Sequence, residues 1–198
     1  WGYEPERPQR EQKYLTADEL ELIMTTPLHN ARLYIVRDLF LFSCYTGISY
    51  GDMCLLTKED LVTDENGTLW IRTSRKKTKV EYEVPLLEVP LHILNKYRDV
   101  EPNGKLLPMY CNSDVNKYLK TIAAKCGINR RIVFHSARHT YATEITLSHG
   151  VPLETVSKML GHTRVDTTQI YAKVTDDKIN ADTKRLDYKI SERFTIAI

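Results

Sequence analysis

Leu33-Tyr34-Ile35-Val36-Arg37-Asp38-Leu39-Phe40-Leu41-Phe42-Ser43-Cys44-Tyr45-Thr46-Gly47 decides the architecture. From Leu33 to Tyr45 the residues are almost wholly apolar, which at this length marks a central helix buried on most of its sides, and Thr46-Gly47 ends it. A second short helix is expected from Ser49 to Leu55. Upstream, Thr16 with Glu19 three residues on forms a capping box that opens an amphipathic helix through Met24, with Leu15 as its hydrophobic staple. Downstream, around Asn66-Gly67, the rhythm changes. Leu69, Trp70 and Ile71 precede a basic run, and Val80, Tyr82 and Val84 then alternate with Glu81 and Glu83 up to Pro85. That is a small antiparallel sheet joined by a basic turn. From Leu86 helices return. Val115, Tyr118, Leu119, Ile122 and Cys126 keep helical spacing while Lys117, Lys120 and Lys125 lie off that stripe, and Gly127 stops the helix. Ser136 to Ser148 before Gly150, Pro152 to Leu160 before Gly161, and Val165 to Val174 complete the set. The expected fold class is mainly α with a small antiparallel β-sheet.

The 198 residues suffice for one domain of ordinary size, and 42% hydrophobic with 27% charged residues supply a core and exclude disorder as the main state. No apolar run approaches the roughly 20 residues of a membrane span, and the N-terminus lacks the layout of a signal peptide, so a soluble, intracellular protein is expected. Cys44, Cys54, Cys111 and Cys126 show neither a CxxC pair nor metal-ligand spacing and read as small buried hydrophobes, without disulfide or zinc. Net charge is only +2, but its distribution is uneven. Arg72, Arg75, Lys76, Lys77 and Lys79 form one run without an acid, and Lys117, Lys120, Lys125, Arg130 and Arg131 form another. Such runs suggest a face for a polyanion, with a solvated surface as the plain alternative. Residues 1–13, rich in charge and proline, read as a linker remnant at a domain boundary, and residues 181–198 as a tail ending in apolar Phe194, Ile196 and Ile198.

His135-Ser136-Ala137-Arg138 places a histidine at a helix entrance and an arginine in its first turn. Free backbone N–H groups and the helix dipole there would suit an anion, and the guanidinium can hold two oxygens of one phosphate. Leu160-Gly161-His162 closes the next helix, and Tyr171 follows nine residues later in Thr167-Thr168-Gln169-Ile170-Tyr171. A single tyrosine is usually a packing residue. With an ordinary pKa near 10, it attacks phosphorus only where cations stabilise the developing charge and a base takes its proton. An arginine, two histidines and a lysine meet that need, the lysine coming from Lys76-Lys77-Thr78, which can protonate a leaving 5′ oxygen.

In order and spacing these parts resemble the tyrosine recombinase (phage integrase) family: Thr46-Gly47-Ile48-Ser49, Lys77 before Val84-Pro85-Leu86, His135-Ser136-Ala137-Arg138, Leu160-Gly161-His162, then Tyr171. The resemblance runs from about Tyr14 to Ile179. It implies a catalytic domain over residues 14–180 and Tyr171 as the nucleophile of a 3′-phosphotyrosyl link. Arg138 and His162 would hold the scissile phosphate, His135 would assist proton transfer and Lys77 would act as general acid. It implies no cofactor or metal. The reaction would be site-specific recombination of double-stranded DNA, for integration or excision of a mobile element. The protein would be a monomer when free and a tetramer on paired sites, its tail docked in cis or on a neighbouring protomer. Accessory DNA-bending or directionality factors, a bacterial cytoplasmic location at the nucleoid, and no membrane complete the picture.

One position departs from the family pattern. An arginine is expected directly after the TG turn, where this chain has Ser49, and a serine cannot supply a permanent delocalised charge. Arg37, which interrupts the buried apolar helix and so needs a partner, is the candidate replacement, against a salt bridge to Asp38, Asp52 or another carboxylate. Asp52 matches an acidic position that braces the family's site. Ser49, Arg75, Lys76, Lys79, Arg130, Arg131 and His139 are expected to contact DNA. The serine, and the phrase from Leu41 to Gly47, look like the branch carried on Bacteroides-type conjugative transposons. The rival readings are a type IB topoisomerase-like relaxing enzyme and a catalytically impaired DNA-binding accessory protein. The Lys77-to-Tyr171 layout and the LGH motif favour a recombinase over a topoisomerase.

Overall fold

A computed structural model describes residues 12–99, 104–172 and 176–192. The central helix is α2, Ala31–Thr46. Asn30 caps its start by accepting from the Arg32 N–H, and Gly47, at φ +70°, ends it in the left-handed conformation that glycine adopts without strain. Val36, Leu39, Phe40, Phe42 and Cys44 are wholly buried along it, so it contacts helices on several sides. α1 (Ala17–Thr25) carries the complete capping box between Thr16 and Glu19. α4 (Glu88–Tyr97) and α5 (Asn112–Lys125) also pack on α2.

The short helix after Gly47 is α3, Tyr50–Met53, shorter than expected because Ser49 is its N-cap and Cys54 its C-cap. The sheet has one strand more than the sequence suggested. β1 (Leu61–Thr63) pairs antiparallel with β2 (Leu69–Ser74), which pairs antiparallel with β3 (Glu81–Pro85). In that register Ile71 faces Val84 and Arg72 faces Glu83. β1 is too short to show alternation, which is why it was missed.

The expected helix from Ser136 to Ser148 is one helical run of three kinds of turn. α6, His135–Thr140, widens to π-helical turns over Tyr141–Thr146 and tightens to a 3₁₀ turn at Leu147–His149. The Thr146 hydroxyl bonds back to the carbonyls of Tyr141 and Ala142, both at 2.9 Å, and fills the widened stretch. α7 spans Leu153–Met159, and Gly161 turns the chain at φ +61°. The last expected helix is a single turn, α8 (Asp166–Gln169), so Tyr171 sits just beyond a helix and not on one. α9 spans Asp176–Ser191 and exposes Leu186, Tyr188 and Ile190. Val174, the apolar end at 194–198 and most of the 1–13 linker lie outside the described residues. Among the described residues no helix is long and apolar enough to cross a membrane. Of the cysteines, Cys44 and Cys126 are buried, whereas Cys54 is half-buried and Cys111 exposed, which corrects the expectation for those two.

Candidate active site

Two backbone turns build the floor of the site. Gly47, after α2, turns its carbonyl oxygen to Arg138, whose Nη1 donates to it at 2.7 Å. Leu160, after α7, offers its carbonyl oxygen to both Arg138 and Arg75, the latter through Nη1 at 3.2 Å. Both carbonyls end helices and lack intrahelical partners, so guanidinium groups satisfy them. A Cβ on Gly47 would lie 2.4 Å from Tyr141 Cδ1, and one on Gly161 would lie 2.9 Å from Arg75 Cγ. The two glycines therefore admit the side chains that flank the arginines.

Asp52, 3% exposed, organises the second arginine. Its Oδ2 lies 3.2 Å from Arg75 Nε and accepts from Ser49 Oγ at 2.8 Å and Tyr82 Oη at 3.5 Å. Its Oδ1 accepts from the Lys76 backbone N–H at 2.8 Å. One carboxylate thus fixes Arg75 and the root of the basic hairpin. Arg75 and Val80 close that hairpin, with Lys79 in the left-handed region at φ 60°, and Lys76, Lys77 and Lys79 project into solvent.

Arg138 is 3% exposed, and burial first, then the charge of Arg75, pull its pKa down to about 10. Two guanidinium groups this close repel each other, and an anion between them relieves the repulsion. Burial, then Arg138 and Arg75, push His162 down to about 4. His135 is depressed by burial and then by the same two arginines, and His139 falls to about 4 through burial and then His135. Lys13, at the entry of the chain, adds to the depression of both. The rings of His135, His139 and Tyr171 stack edge to face, with centroids 4.8 and 5.1 Å apart. Burial raises the Tyr171 phenol, while Arg138 and Arg75 pull it back toward the phenolate.

The structure therefore brings together Tyr171, Arg138, His162, His135 and His139, and adds Arg75, which the sequence marks as a DNA contact in the basic run and not as a partner of Arg138. It does not bring Arg37 to the site. That guanidinium donates to the carbonyls of Met24 and Thr26 at 3.2 and 3.1 Å and lies 4.8 Å over the Tyr34 ring. The partners Arg37 needed are the free carbonyls ending α1, neither a phosphate nor a carboxylate. Arg130 is likewise no free DNA contact. It donates to Glu19, Gln12 and Tyr14 and ties the entering chain to α1, whereas Arg131 is exposed. Ser49 spends its hydroxyl on Asp52.

The free helix entrance is corrected too. The amides of Ser136 and Ala137 already donate to the carbonyls of Val133 and Phe134, so the entrance is less open than expected. Sequence reasoning missed Thr168 as well, whose hydroxyl lies 2.8 Å from His162 Nδ1. Its only signal was its place three residues before Tyr171. Among the described residues no group of His, Cys, Asp and Glu is arranged to hold a metal ion.

A tyrosine recombinase of Pseudothermotoga lettingae is 29% identical over 182 residues, covering 87% of this chain and 60% of that protein. The tyrosine recombinase XerC of Neisseria gonorrhoeae is 29% identical over 186 residues, covering 88% and 59%. The chain thus spans 59–60% of the length of these two relatives. Among solved structures, the crystal structure of XerA recombinase superposes with a TM-score of 0.68 at 25% identity, covering 87% of this chain and 64% of that one. The Tn1549 transposon integrase in complex with a circular intermediate DNA shares the fold, with a TM-score of 0.69 at 17% identity over 91% and 68%. The phage integrase family model matches residues 13–178, and the chain belongs to that family.

Proposed function

We propose that the chain is the catalytic domain of a site-specific DNA recombinase. The observation that carries this is the convergence of Arg138, Arg75 and His162 at one turn, with Tyr171 stacked on His139 and tied through the Thr168 carbonyl to the residue that meets His162. In the proposed step the Tyr171 O–H passes its proton to the neutral His135 imidazole as its oxygen bonds to the scissile phosphorus and the bond to the 5′ oxygen breaks. The leaving oxygen takes a proton from Lys77. The phosphodiester becomes a phosphotyrosyl ester of similar energy, so rejoining needs no nucleotide.

Arg75 supplies the charge that Ser49 lacks. Its Asp52 partner reaches it from the helix that Ser49 caps, so the guanidinium arrives from the sheet and not from the TG turn. This supports an active enzyme over an impaired accessory protein. DNA is the proposed partner, contacted by Lys76, Lys77, Lys79, Arg131 and the exposed lysines of α5. Assembly as a tetramer on paired sites, accessory factors, a nucleoid location and service to a conjugative transposon belong to the same proposal.

Covalent trapping on a nicked suicide duplex, without metal or nucleotide, tests it. A protein–DNA adduct followed by strand exchange between two sites supports a recombinase. Relaxation of supercoils by a monomer without exchange would indicate the topoisomerase-like reading, and binding with no adduct the accessory one.

A further inference from the structure

Thr168 joins two parts of the site that are otherwise separate. His162 Nε2 lies 3.1 Å from Arg138 Nη2. A guanidinium has no acceptor, so Arg138 donates and Nε2 accepts. Neutral imidazole carries one N–H, which must then sit on Nδ1. Its partner there is the Thr168 hydroxyl at 2.8 Å, on a residue with no exposed surface. The same residue's carbonyl accepts from the Tyr171 N–H at 3.0 Å, and its own N–H donates to Val165 at 2.7 Å. Thr168 thus faces the imidazole with its side chain and carries the nucleophile's turn with its backbone.

We propose that Thr168 is a positioning residue that holds His162 by its Nδ1–H and locks that ring to the turn bearing Tyr171. The consequence is chemical. The Nε2 lone pair stays on Arg138, so the imidazole braces the guanidinium of the site, and the distance of that pair to the nucleophile is set by one residue instead of two independent loops. A hydroxyl suits this role because it accepts from Nδ1–H without adding a negative charge beside the phosphate, as a carboxylate would. Its effect on rate rests on the recombinase reading, whereas the hydrogen bond at Nδ1 belongs to the free protein.

The test uses the 198-residue chain with Thr168→Val, which keeps the shape and removes the hydroxyl, and Thr168→Ser, which keeps the hydroxyl. Long-range proton–nitrogen NMR of the imidazole reads the tautomer and the exchange of its Nδ1 proton, and covalent trapping on the nicked duplex reads the rate. Wild type and Thr168→Ser should show Nδ1–H at His162. Thr168→Val should keep Nδ1–H, which Arg138 dictates, but lose the hydrogen bond to it, seen as faster exchange of that proton with solvent, and cleave on the order of tenfold more slowly. An Nε2–H tautomer in wild type overturns the proposal, and so does a Thr168→Val protein that cleaves at the wild-type rate. Should Thr168→Val not fold, faster exchange of the Nδ1 proton in folded Thr168→Ser than in wild type would also overturn it. If wild type forms no adduct, the recombinase reading fails and the exchange of the His162 Nδ1 proton in wild type and Thr168→Val alone decides Thr168.

Discussion

Replacing Arg75 and Arg37 by alanine, one at a time, separates a phosphate-binding arginine from a structural one. Arg75→Ala breaks the ion pair to buried Asp52. Breaking a buried pair costs 3–5 kcal/mol in general, and about 3 kcal/mol is expected here, because Asp52 keeps its bonds from Ser49, Tyr82 and the Lys76 N–H. At about 2–4 °C per kcal/mol for a domain of this size, the melting temperature drops by roughly 6–12 °C. Arg37→Ala loses two hydrogen bonds to carbonyls and a contact with the Tyr34 ring, together about 2–3 kcal/mol. The two variants are thus comparably destabilised, which makes their activities a clean contrast.

Cleavage is measured by covalent trapping well below both melting temperatures. Arg75→Ala should fall by about 10²-fold or more, the usual loss of one preorganised donor to a developing anion. Arg37→Ala should cleave at the wild-type rate. Adding Ser49→Arg to Arg75→Ala should recover part of the loss, because both positions serve one phosphate. Wild-type cleavage by Arg75→Ala, or a large loss in fully folded Arg37→Ala, refutes the assignment.

Gly47→Ala should lower the melting temperature sharply, since a left-handed φ costs about 1–3 kcal/mol for a residue with a Cβ and that Cβ would sit 2.4 Å from the buried Tyr141 ring. Stability should decline as pH falls from about 6.5 toward 4. His139 and His162 have folded values near 4, so in that window the unfolded chain takes up protons that the folded one refuses. Thermal melts across it should slope downward toward acid, and His139→Gln should flatten the slope. Arg130→Ala should reduce stability by freeing residues 12–14 from α1, whereas Arg131→Ala should leave stability unchanged and make DNA binding less salt-dependent; the reverse pattern would restore Arg130 as a DNA contact.

Local signals carried most of the fold. The Thr16–Glu19 box, the apolar run of α2 and the left-handed glycines 47, 127, 150 and 161 each fix an element edge through bonds within a few residues. β1 and the π-helical turns escaped because the first is only three residues long and the second depends on how Thr146 meets its own helix. At the site, motif order located Tyr171, Arg138 and His162 in sequence. It misplaced Arg37 and did not set Arg75 beside Arg138, because only tertiary contacts say which carboxylate or carbonyl each arginine meets. Arg37 finds Met24 and Thr26 across a turn, whereas Arg75 finds Asp52 from a strand end. Neither pairing follows a sequence period.

The central claim is that Tyr171 is the nucleophile, and the most direct measurement is to identify the residue joined to DNA. A suicide duplex trapped by the wild-type chain, digested with protease and read by mass spectrometry, should carry the 3′ phosphate on the peptide containing Tyr171. Tyr171→Phe should bind the same DNA with nearly unchanged affinity and yield no adduct. An adduct formed by the Phe variant, or a phosphate linked to another residue such as Tyr188, contradicts the account.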